Sequence, residues 1–533
     1  MRPPSRLGFA FVLTLCHGLK EHDFRKCKDT PFCSKHRAPP THEWAVSSVS
    51  SAGGVLQALL LPPESWEQLP LRLTLSVLRT GAVRVHVDED PELPLESLER
   101  ADASVTKPAE WDDDMDGEWD APQVALGRAV KSRFQPSHAF ATADAATPSG
   151  NCEHQTPTPG DDRLRCSGFD GSVDVVEVRL RHAPLAVMVL DRDGAEVAVL
   201  NARGRLVFEP FRQARASESA ESSAPEPHTF NSFTDPMTYG SSSVGLDIDF
   251  PLATHAYGLP ERTVAHALPP TLGKEPYRLF NLDVFEYELD HPMTVYGSVP
   301  FLHAHGSHGS YGVLWLNPSE TFVDIGCTET PPVGSEGSEG SDGAAGPVCS
   351  HWFSASGTID AFIFSGPTPL EVTRQHAALT GVTPLPPLFA LGYHQCRWNY
   401  RDEEDVSAVL AAFEEHALPF DVLWLDIEHT DSKKYFTWDS YKFPSPLRMQ
   451  KELAHTGRKM VTIIDPHLKA DDDYPVFKQA TLIWQQTLPI PWAGGEDREG
   501  SPGTISTTHH APHTAHHTPH ITHHTSHTTH HAP

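Results

Sequence analysis

The sequence is short of basic residues. It contains 41 Lys and Arg against 70 Asp and Glu in 533 residues, which gives a formal net charge of −29. Phosphate-rich partners need clustered Lys and Arg, so this balance argues against nucleic acid and anionic membrane surfaces as partners. A neutral or cationic ligand, or a protein partner, fits the charge better.

Motifs of several common enzyme classes are also absent. The chain has no Walker loop and no GxGxxG, the Gly-rich sequences that hold phosphates, and no HExxH, the helical zinc motif of metalloproteases. No apolar run is long enough for a transmembrane helix. Length alone predicts two to four domains.

The N-terminus has the features of a secretory signal peptide. Arg2 and Arg6 form a basic start, and Gly8 to Leu15 form an apolar core that is too short to cross a bilayer. We expect residues 1–18 to be removed and the mature chain to begin near Leu19. A buried N-terminal strand is the alternative, which the Arg-Pro-Pro start disfavours.

The eight cysteines are compatible with an oxidising compartment. Cys27 and Cys33 frame a short loop that a disulfide could close, and their spacing does not suit the usual zinc pattern. Cys396 follows a predicted strand and is expected to stay a free thiol. Four others could pair in ways that sequence alone does not decide: Cys152, Cys166, Cys327 and Cys349.

Up to residue 385 the chain is predicted to be rich in β-strands. Residues 71–89 alternate apolar and polar side chains on both sides of Thr80-Gly81, which is typical of a hairpin. Residues 173–211 contain several strands with turns at Asp193-Gly194 and Arg203-Gly204. Further strands are predicted at residues 243–250, 277–285, 311–316 and 358–364. Many short strands of this kind predict a β-sandwich over residues 19–385.

Three low-complexity stretches interrupt the β-rich region. The acidic residues 110–120 are predicted to form a solvated loop, and residues 216–227 and 334–347 are predicted to be flexible insertions.

After Pro386-Pro387 the pattern changes to alternating strands and helices. Apolar runs predict strands at Leu388–His394, Val422–Asp426 and Met460–His467, and helical spacing predicts helices at Asp402–His416 and Leu447–Thr456. Parallel strands that are buried on both faces have this form, in open α/β sheets and in (β/α)8 barrels alike.

From about Ala480 no further βα unit is predicted, and residues 481–533 are expected to be a disordered tail. Residues 509–533 repeat every seven residues and are rich in His and Thr, without the apolar seam of a coiled coil. We interpret the repeat as unstructured. Weak metal binding by its clustered imidazoles is the alternative.

Polar and aromatic side chains follow each predicted parallel strand. They are His394, Gln395, Arg397, Trp398, Asn399 and Tyr400, then Asp426, Glu428, His429, Tyr435, Phe436 and Trp438, then Asp465, Pro466 and His467. Both architectures bind ligands at this end of the strands. Acids that accept hydrogen bonds from hydroxyls, together with aromatic faces, suit a sugar, and they would also suit other polar ligands. The alternatives are that Asp426 only caps the next segment, that Trp398 lies in the core, and that His467 is structural.

The segments GYHQCRWNYRDEEDV, DVLWLDIEHTDSKKYFTWD and IIDPH resemble glycoside hydrolase family 31. FRKCKDTPFC, EWDDDMDGEWD, PYRLFNLDVFEYEL and YGSVPFLHAH extend the resemblance upstream. It implies an α+β multidomain fold, with an N-terminal galactose-mutarotase-like β-sandwich followed by a (β/α)8 TIM barrel, of which residues 386–480 are the first part.

The resemblance also implies a function. Within the family it points to lumenal enzymes of the endoplasmic reticulum that remove terminal α-1,3-linked glucose from N-glycans by a retaining mechanism, without a cofactor or metal. Such an enzyme is kept in the lumen by a β subunit that carries a retention signal. The motifs alone do not separate two close paralogues within the family.

Five residues match substrate-contacting positions of the family. Asp426 matches a substrate-binding aspartate, Asp283 an aspartate on a loop of the N-terminal domain, Phe285 and Trp398 aromatics of the neighbouring subsite, and Ile463 an apolar wall. Without the resemblance, Asp283 would be interpreted as a turn residue.

The family's catalytic carboxylates have no counterpart in this sequence. The nucleophile belongs to a WNDMNEPS-type motif and the acid/base lies further on, and no WxDxNE occurs in the chain. We therefore assign no catalytic residue and expect no hydrolysis. One hypothesis is a truncated or mis-assembled form of the enzyme with a poorly stable partial barrel. The other is a non-catalytic lumenal module that binds carbohydrate or regulates.

Overall fold

The computed structural model describes residues 24–39, 41, 43–63, 70–89, 148–149, 151–169, 174–209, 228–230, 233–235, 242–282, 284, 287–327, 346–465, 467–487 and 504–506. The predicted signal peptide, the stretches 110–120 and 216–227, most of 334–347 and the repeat 509–533 lie outside these ranges. So do Asp283 and Phe285.

The N-terminal region is built from short antiparallel strands. In chain order they are β1 Ala45–Ala52, β2 Val55–Leu61, β3 Leu71–Val77, β4 Val83–Glu89, β5 Cys152–Thr158, β6 Asp161–Ser167, β7 Val175–His182, β8 Leu185–Leu190, β9 Glu196–Leu200, β10 Val207–Phe208, β11 His228–Phe230, β12 Phe233–Asp235, β13 Val244–Phe250, β14 His255–Gly258, β15 Tyr277–Leu279, β16 Phe301–Gly306, β17 Gly309–Trp315, β18 Thr321–Ile325, β19 Val348–Ser354 and β20 Ile359–Phe364.

Within the described ranges these strands form two large sheets. One has the order β1-β2-β3-β4-β20-β17-β16-β14, and the other β15-β18-β19-β13-β9-β8-β7-β6-β5, with β10 paired to β13. Strands β11 and β12 form a separate hairpin. The predicted sandwich is confirmed.

The core of the sandwich lies between the two sheets. Alternation in β3 and β4 buries Leu73 and Leu75 on one side of a hairpin whose turn contains Gly81 at φ +78°. The indoles of Trp315 and Trp352 come from opposite sheets and stack with their ring centroids 5.9 Å apart. Each buried indole N–H donates to a serine hydroxyl, as buried polar groups require.

Two helices cover the outer faces of the sandwich. Helix α1, Pro31–His36, packs Phe32 against Phe322, and the structure pairs Cys27 with Cys33 at its start. Helix α2, Pro369–Thr380, buries Val372 and Leu379 against the other sheet. Two further disulfides join Cys152 to Cys166 and Cys327 to Cys349, and Cys396 is a free exposed thiol.

The C-terminal region has the predicted β-α-β-α-β order. Its elements are β21 His394–Gln395, α3 Glu403–Glu415, β22 Val422–Leu425, α4 Pro446–His455 and β23 Lys459–Thr462. The three strands are parallel, with β22 in the middle. Leu423, Leu425, Met449 and Leu453 share one buried core beneath the helices. Gly457, at φ +79°, follows α4 where the sequence predicts its end.

The prediction of a buried strand at Leu388–His394 was wrong. Residues 388–391 form a 3-10 turn, only His394–Gln395 pair with β22, and Leu388 and Leu391 are 86% and 62% exposed. An apolar run forms a buried parallel strand only where neighbours cover both of its faces. Among the described residues, β21 has one neighbouring strand.

Other boundaries also moved. The strand predicted at 277–285 ends at Leu279, because the chain then enters a loop tied to residues 259–263. The strand predicted at Met460–His467 divides into β23 and β24, His467–Lys469, and β24 pairs with β25, Thr504–Ser506. Helix α5, Pro475–Thr487, was not predicted and runs past residue 480. No helix of the described ranges is long and apolar enough to cross a membrane.

Candidate functional site

The ends of β21, β22 and β23 lie side by side at one edge of the parallel sheet. His394 pairs with Val422, and Leu425 pairs with Thr462, so the residues that follow the three strands share this edge. Below it, the Trp424 indole N–H donates to His394 Nδ1 at 2.8 Å and ties β22 to β21. The strand-end residues that the sequence singles out are therefore neighbours in space.

Asp426 ends β22 and begins the next turn. Its Oδ1 accepts a hydrogen bond from the Ile427 N–H at 2.6 Å, so the carboxylate caps the 3-10 turn at residues 427–429. No hydrogen bond from the described residues reaches Oδ2, and the side chain is partly exposed. Asp426 thus caps a turn and also offers a carboxylate oxygen at the edge of the sheet.

His429 supports Asp426 from behind. Its Nδ1 lies 2.7 Å from the Asp426 carbonyl oxygen, to which it donates, and its ring meets Trp438 edge-on at 5.0 Å. Burial lowers the pKa of His429, so the imidazole is neutral at pH 7. His429 is therefore buried and neutral, and its two contacts hold the turn in place. It is not placed to act as an acid at the edge of the sheet.

Trp398 projects from the segment after β21. It is 59% exposed, so it is not a core residue. An ion pair anchors the segment: Arg397 donates to Asp405 at 2.5 Å, and the Arg397 guanidinium lies 4.6 Å from the Tyr400 ring centroid. The Arg401 backbone N–H and then Arg397 lower the pKa of Asp405 to about 2. An exposed indole on an anchored segment can pack against the flat face of a ligand.

The end of β23 contributes Ile463 and Asp465. The Ile463 N–H extends the ladder by donating to the Leu425 carbonyl at 3.0 Å, and its side chain is partly exposed. Asp465 is exposed, and its Oδ2 accepts the phenol proton of Tyr435 at 2.5 Å. Burial, Asp465 and Asp426 all raise the pKa of Tyr435, which is therefore a neutral donor.

The structure thus brings Trp398, Asp426 and Ile463 to one edge, while their binding roles stay predictions. Asp283 and Phe285 fall outside the described residues, as does the side chain of His467. No group of three His, Cys, Asp or Glu side chains in the described ranges is arranged to hold a metal.

Two domain families match the chain over most of its length. The Glycosyl hydrolase 31 N-terminal galactose mutarotase-like domain matches residues 72–324, and the Glycosyl hydrolases family 31 TIM-barrel domain matches residues 383–516. The chain belongs to glycoside hydrolase family 31. The parallel strands β21 to β23 lie in the TIM-barrel match, and most strands of the two large sheets lie in the mutarotase-like match.

Curated relatives carry α-glucosidase names. A probable glucan 1,3-alpha-glucosidase of Arabidopsis thaliana is 38% identical over 498 residues, which cover 90% of this chain and 49% of the relative. Neutral alpha-glucosidase AB of Mus musculus is 40% identical over 387 residues, covering 64% and 40%. This family 31 chain therefore spans about half the length of the curated relatives, or less.

Solved structures agree with these matches. A glucosidase II alpha subunit bound to alpha3-Glc2 superposes with a TM-score of 0.68 at 33% identity, covering 87% of this chain and 48% of that one. The ER glucosidase II heterodimeric complex, a catalytic subunit with the binding domain of a regulatory subunit, gives the same score and identity, covering 86% and 48%.

The sequence gives no sign of the link between Tyr435 and Asp465. Both residues follow predicted strands, but their pairing depends on the loop after β22 folding back toward β23. The Tyr474 phenol donates to the Tyr435 carbonyl at 2.7 Å and holds that loop down. No local sequence pattern reports a contact of this kind, because the two partners are 30 residues apart.

Proposed function

We propose that this family 31 chain carries glucose-binding residues of an α-glucosidase of the glucosidase II type, which removes terminal α-1,3-linked glucose from N-glycans. The names of its relatives support the linkage: one is a probable glucan 1,3-alpha-glucosidase, and one solved structure holds alpha3-Glc2. The observation that carries the proposal concerns Asp426, the carboxylate at the end of β22. Its Oδ1 accepts the Ile427 N–H, and its Oδ2 is available at the edge where such folds bind ligands.

Each residue at the edge has a distinct part in binding. Asp426 Oδ2 would accept hydrogen bonds from glucose hydroxyls, because an ionised carboxylate has several acceptor sites. Trp398 would pack on the C–H face of the sugar, and Ile463 would supply an apolar wall. Asp283 and Phe285 would approach from the loop of the N-terminal domain. No metal or cofactor enters this scheme.

Hydrolysis needs two further carboxylates. In a retaining glycosidase a nucleophile and an acid/base stand roughly 5–5.5 Å apart across the glycosidic bond. The 533 residues contain no WxDxNE sequence to supply the nucleophile. We therefore assign Asp426 to binding and expect that this polypeptide does not turn over an α-glucoside.

We extend the proposal to partner and compartment. The solved heterodimer pairs a catalytic subunit with a regulatory subunit. By resemblance, the partner of this chain would be the glucosidase II β subunit, and its location the lumen of the endoplasmic reticulum. The three disulfides are consistent with an oxidising lumen.

A non-catalytic carbohydrate-binding or regulatory module is the second candidate. The observation in its favour is that the barrel segment has a core of its own, with Leu423, Phe443 and Met449 buried together, while the sequence has no nucleophile motif. Such a module predicts cooperative unfolding and retained sugar binding.

Calorimetric unfolding of the 533-residue chain with and without a glucose-mimicking imino sugar tests the proposal. We expect the ligand to raise the unfolding temperature, and we expect no release of a chromogen from an aryl α-glucoside. Absence of any ligand effect on a folded sample would refute the binding site. Turnover that Asp426→Ala abolishes would refute the interpretation that the chain lacks the catalytic carboxylates.

A further inference from the structure

The loop segment at residues 280–297 is tied at many points to the short segment at residues 259–263. It includes the described residues on both sides of positions 283 and 285. Leu282 and Val284 are buried, although Tyr287 and Leu289 in the same loop segment are exposed. The positions that flank Asp283 are therefore fixed in the protein interior, while residues 287–290 face solvent.

Arg262 makes hydrogen bonds to three separate stretches of backbone. Its Nε donates to the Leu259 carbonyl at 2.6 Å, Nη2 to the Arg278 carbonyl at 2.7 Å, and Nη1 to the Pro292 carbonyl at 3.3 Å. The guanidinium also lies 4.9 Å from the Tyr277 ring centroid. Arg262 thus joins the strand that enters the loop segment to the chain that leaves it.

Arg262 has no carboxylate partner among the described residues. Burial lowers its pKa to about 10, which still leaves it charged at pH 7. A partly buried cation is costly unless it is hydrogen-bonded, and among the described residues its hydrogen-bond partners are backbone carbonyl oxygens. A planar guanidinium that bridges three backbone carbonyls fixes the geometry of the chain segments that carry them.

The neighbours of Arg262 complete the attachment. Glu261 exchanges backbone hydrogen bonds with Gly297 and Val295, and its carboxylate accepts the Gly297 N–H at 2.9 Å. The Thr263 hydroxyl donates to the Glu288 carbonyl at 2.6 Å. Three consecutive side chains, at positions 261 to 263, therefore bind the loop segment, and Arg262 holds its two ends together.

Inside the loop segment, the residues next to position 283 are bonded to the returning chain. The Leu282 N–H donates to the Val295 carbonyl at 2.9 Å, and the Tyr296 phenol donates to the Val284 carbonyl at 2.7 Å. Residues 261 and 262 contact the same returning residues, 294–297. Glu261 bonds to Val295 and Gly297, and Arg262 pairs with Thr294 in a β-bridge. A continuous set of contacts connects residue 262, whose backbone bridges to Thr294, to both sides of position 283.

We propose that Arg262 is a positioning residue that fixes the loop segment from which Asp283 and Phe285 contact the sugar. The inference rests on the proposed binding roles of those two residues. The attachment itself is independent of those roles: removal of the guanidinium releases the Leu259, Arg278 and Pro292 carbonyls without opening the core between the sheets.

Hydrogen exchange on the 533-residue chain tests this role, with Arg262→Met compared to wild type. The amides of Leu282, Val295 and Gly297 should exchange at least about tenfold faster in the variant, because their acceptors are no longer held in place. Amides of β3 and β4 should not change. Arg192→Met, which removes an exposed arginine on the sandwich, is the matched control and should leave all of these rates unchanged.

Affinity for a glucose-mimicking imino sugar is measured on the same samples. Faster loop exchange with weaker binding supports the whole proposal. If Arg262→Met exchanges faster in the loop but even the wild-type chain binds no imino sugar, the positioning role is supported and the proposed function is refuted. Unchanged loop exchange in Arg262→Met refutes the positioning role. If that variant does not fold, Arg262→Lys replaces it. Its ammonium keeps the charge, but one nitrogen cannot take the places of the three separate nitrogens that reach the carbonyls. Unchanged loop exchange in Arg262→Lys would equally refute the positioning role.

Discussion

The Tyr435 phenol donates a 2.5 Å hydrogen bond to Asp465 Oδ2 and so connects the loop after β22 to the end of β23. Tyr435 is buried and its own carbonyl is held by Tyr474, while Asp465 is exposed at the edge. The bond therefore runs from a rigid donor to a carboxylate that would otherwise sample several rotamers. It fixes one of the acids that follow parallel strands at the candidate site.

Tyr435→Phe should remove this bond without changing the packing. We expect a loss of about 1 kcal/mol in the free energy of unfolding, because water can reach the exposed Asp465 and replace part of the interaction. Affinity for the imino sugar should fall by up to about tenfold, since Asp465 lies at the same edge as Asp426 and is no longer oriented. Denaturant unfolding and isothermal titration measure the two effects.

Tyr441→Phe is the matched control, because Tyr441 is 92% exposed and makes no side-chain hydrogen bond among the described residues. It should change neither quantity. Equal effects of the two substitutions would contradict the role given to Tyr435.

The disulfide between Cys27 and Cys33 should stabilise the attachment of α1 to the sandwich. Both sulfur atoms are buried beside Phe322 and Phe353. Closing a loop of this size is worth about 2 kcal/mol in the chain-entropy model, so Cys27→Ala with Cys33→Ala should lower the free energy of unfolding by about that amount. Cys396→Ala, which removes the exposed free thiol, should have no effect. Equal stability of the double variant and wild type would contradict this prediction.

Asp249 should make stability depend on pH in the sense opposite to most carboxylates. Burial, and then the nearby Asp247, raise its pKa from 3.8 to about 6, although Arg203 lies 3.1 Å away. A raised folded-state pKa means that the folded protein holds the proton more tightly than the unfolded chain. Its stabilising contribution is therefore complete below pH 3.8 and is lost as the pH rises through 6.

Asp249→Asn removes this titration. The free energy of unfolding of the variant relative to wild type should rise by about 2 kcal/mol between pH 4.5 and pH 7, since one pKa unit corresponds to about 1.4 kcal/mol. Comparing the two proteins at each pH cancels the titration of the other groups. Asp193→Asn, on an exposed turn, should show no such trend. A pH-independent difference for Asp249→Asn would contradict the shifted pKa.

Much of the fold was predictable where local pattern and environment agree. The hairpin of β3 and β4 follows from alternation around Gly81. Helix α3 starts as predicted because the Asp402 side chain accepts the Asp405 N–H at 2.8 Å, as an N-cap does. Strand β22 ends one residue before Asp426 because that carboxylate starts a capped turn.

The remaining features depend on contacts between distant residues. Leu388 and Leu391 look like core residues in the sequence, yet they are exposed, because burial is set by neighbours and not by the apolar run itself. The attachment of the loop segment by Arg262 joins residues up to 30 positions apart, and it gives no periodic pattern in the sequence. At the candidate site the acids could be predicted, whereas the side chains that orient them could not.

The most direct test of the account is isothermal titration of the imino sugar into wild type and Asp426→Asn. Asn caps a turn as well as Asp, so the fold and the free energy of unfolding should be kept. The charged acceptor is lost, and we predict that affinity falls about ten- to a hundredfold. Equal affinity in the two proteins, with Asp193→Asn as the control for loss of one negative charge, would contradict the assignment of Asp426 as the residue that holds the sugar.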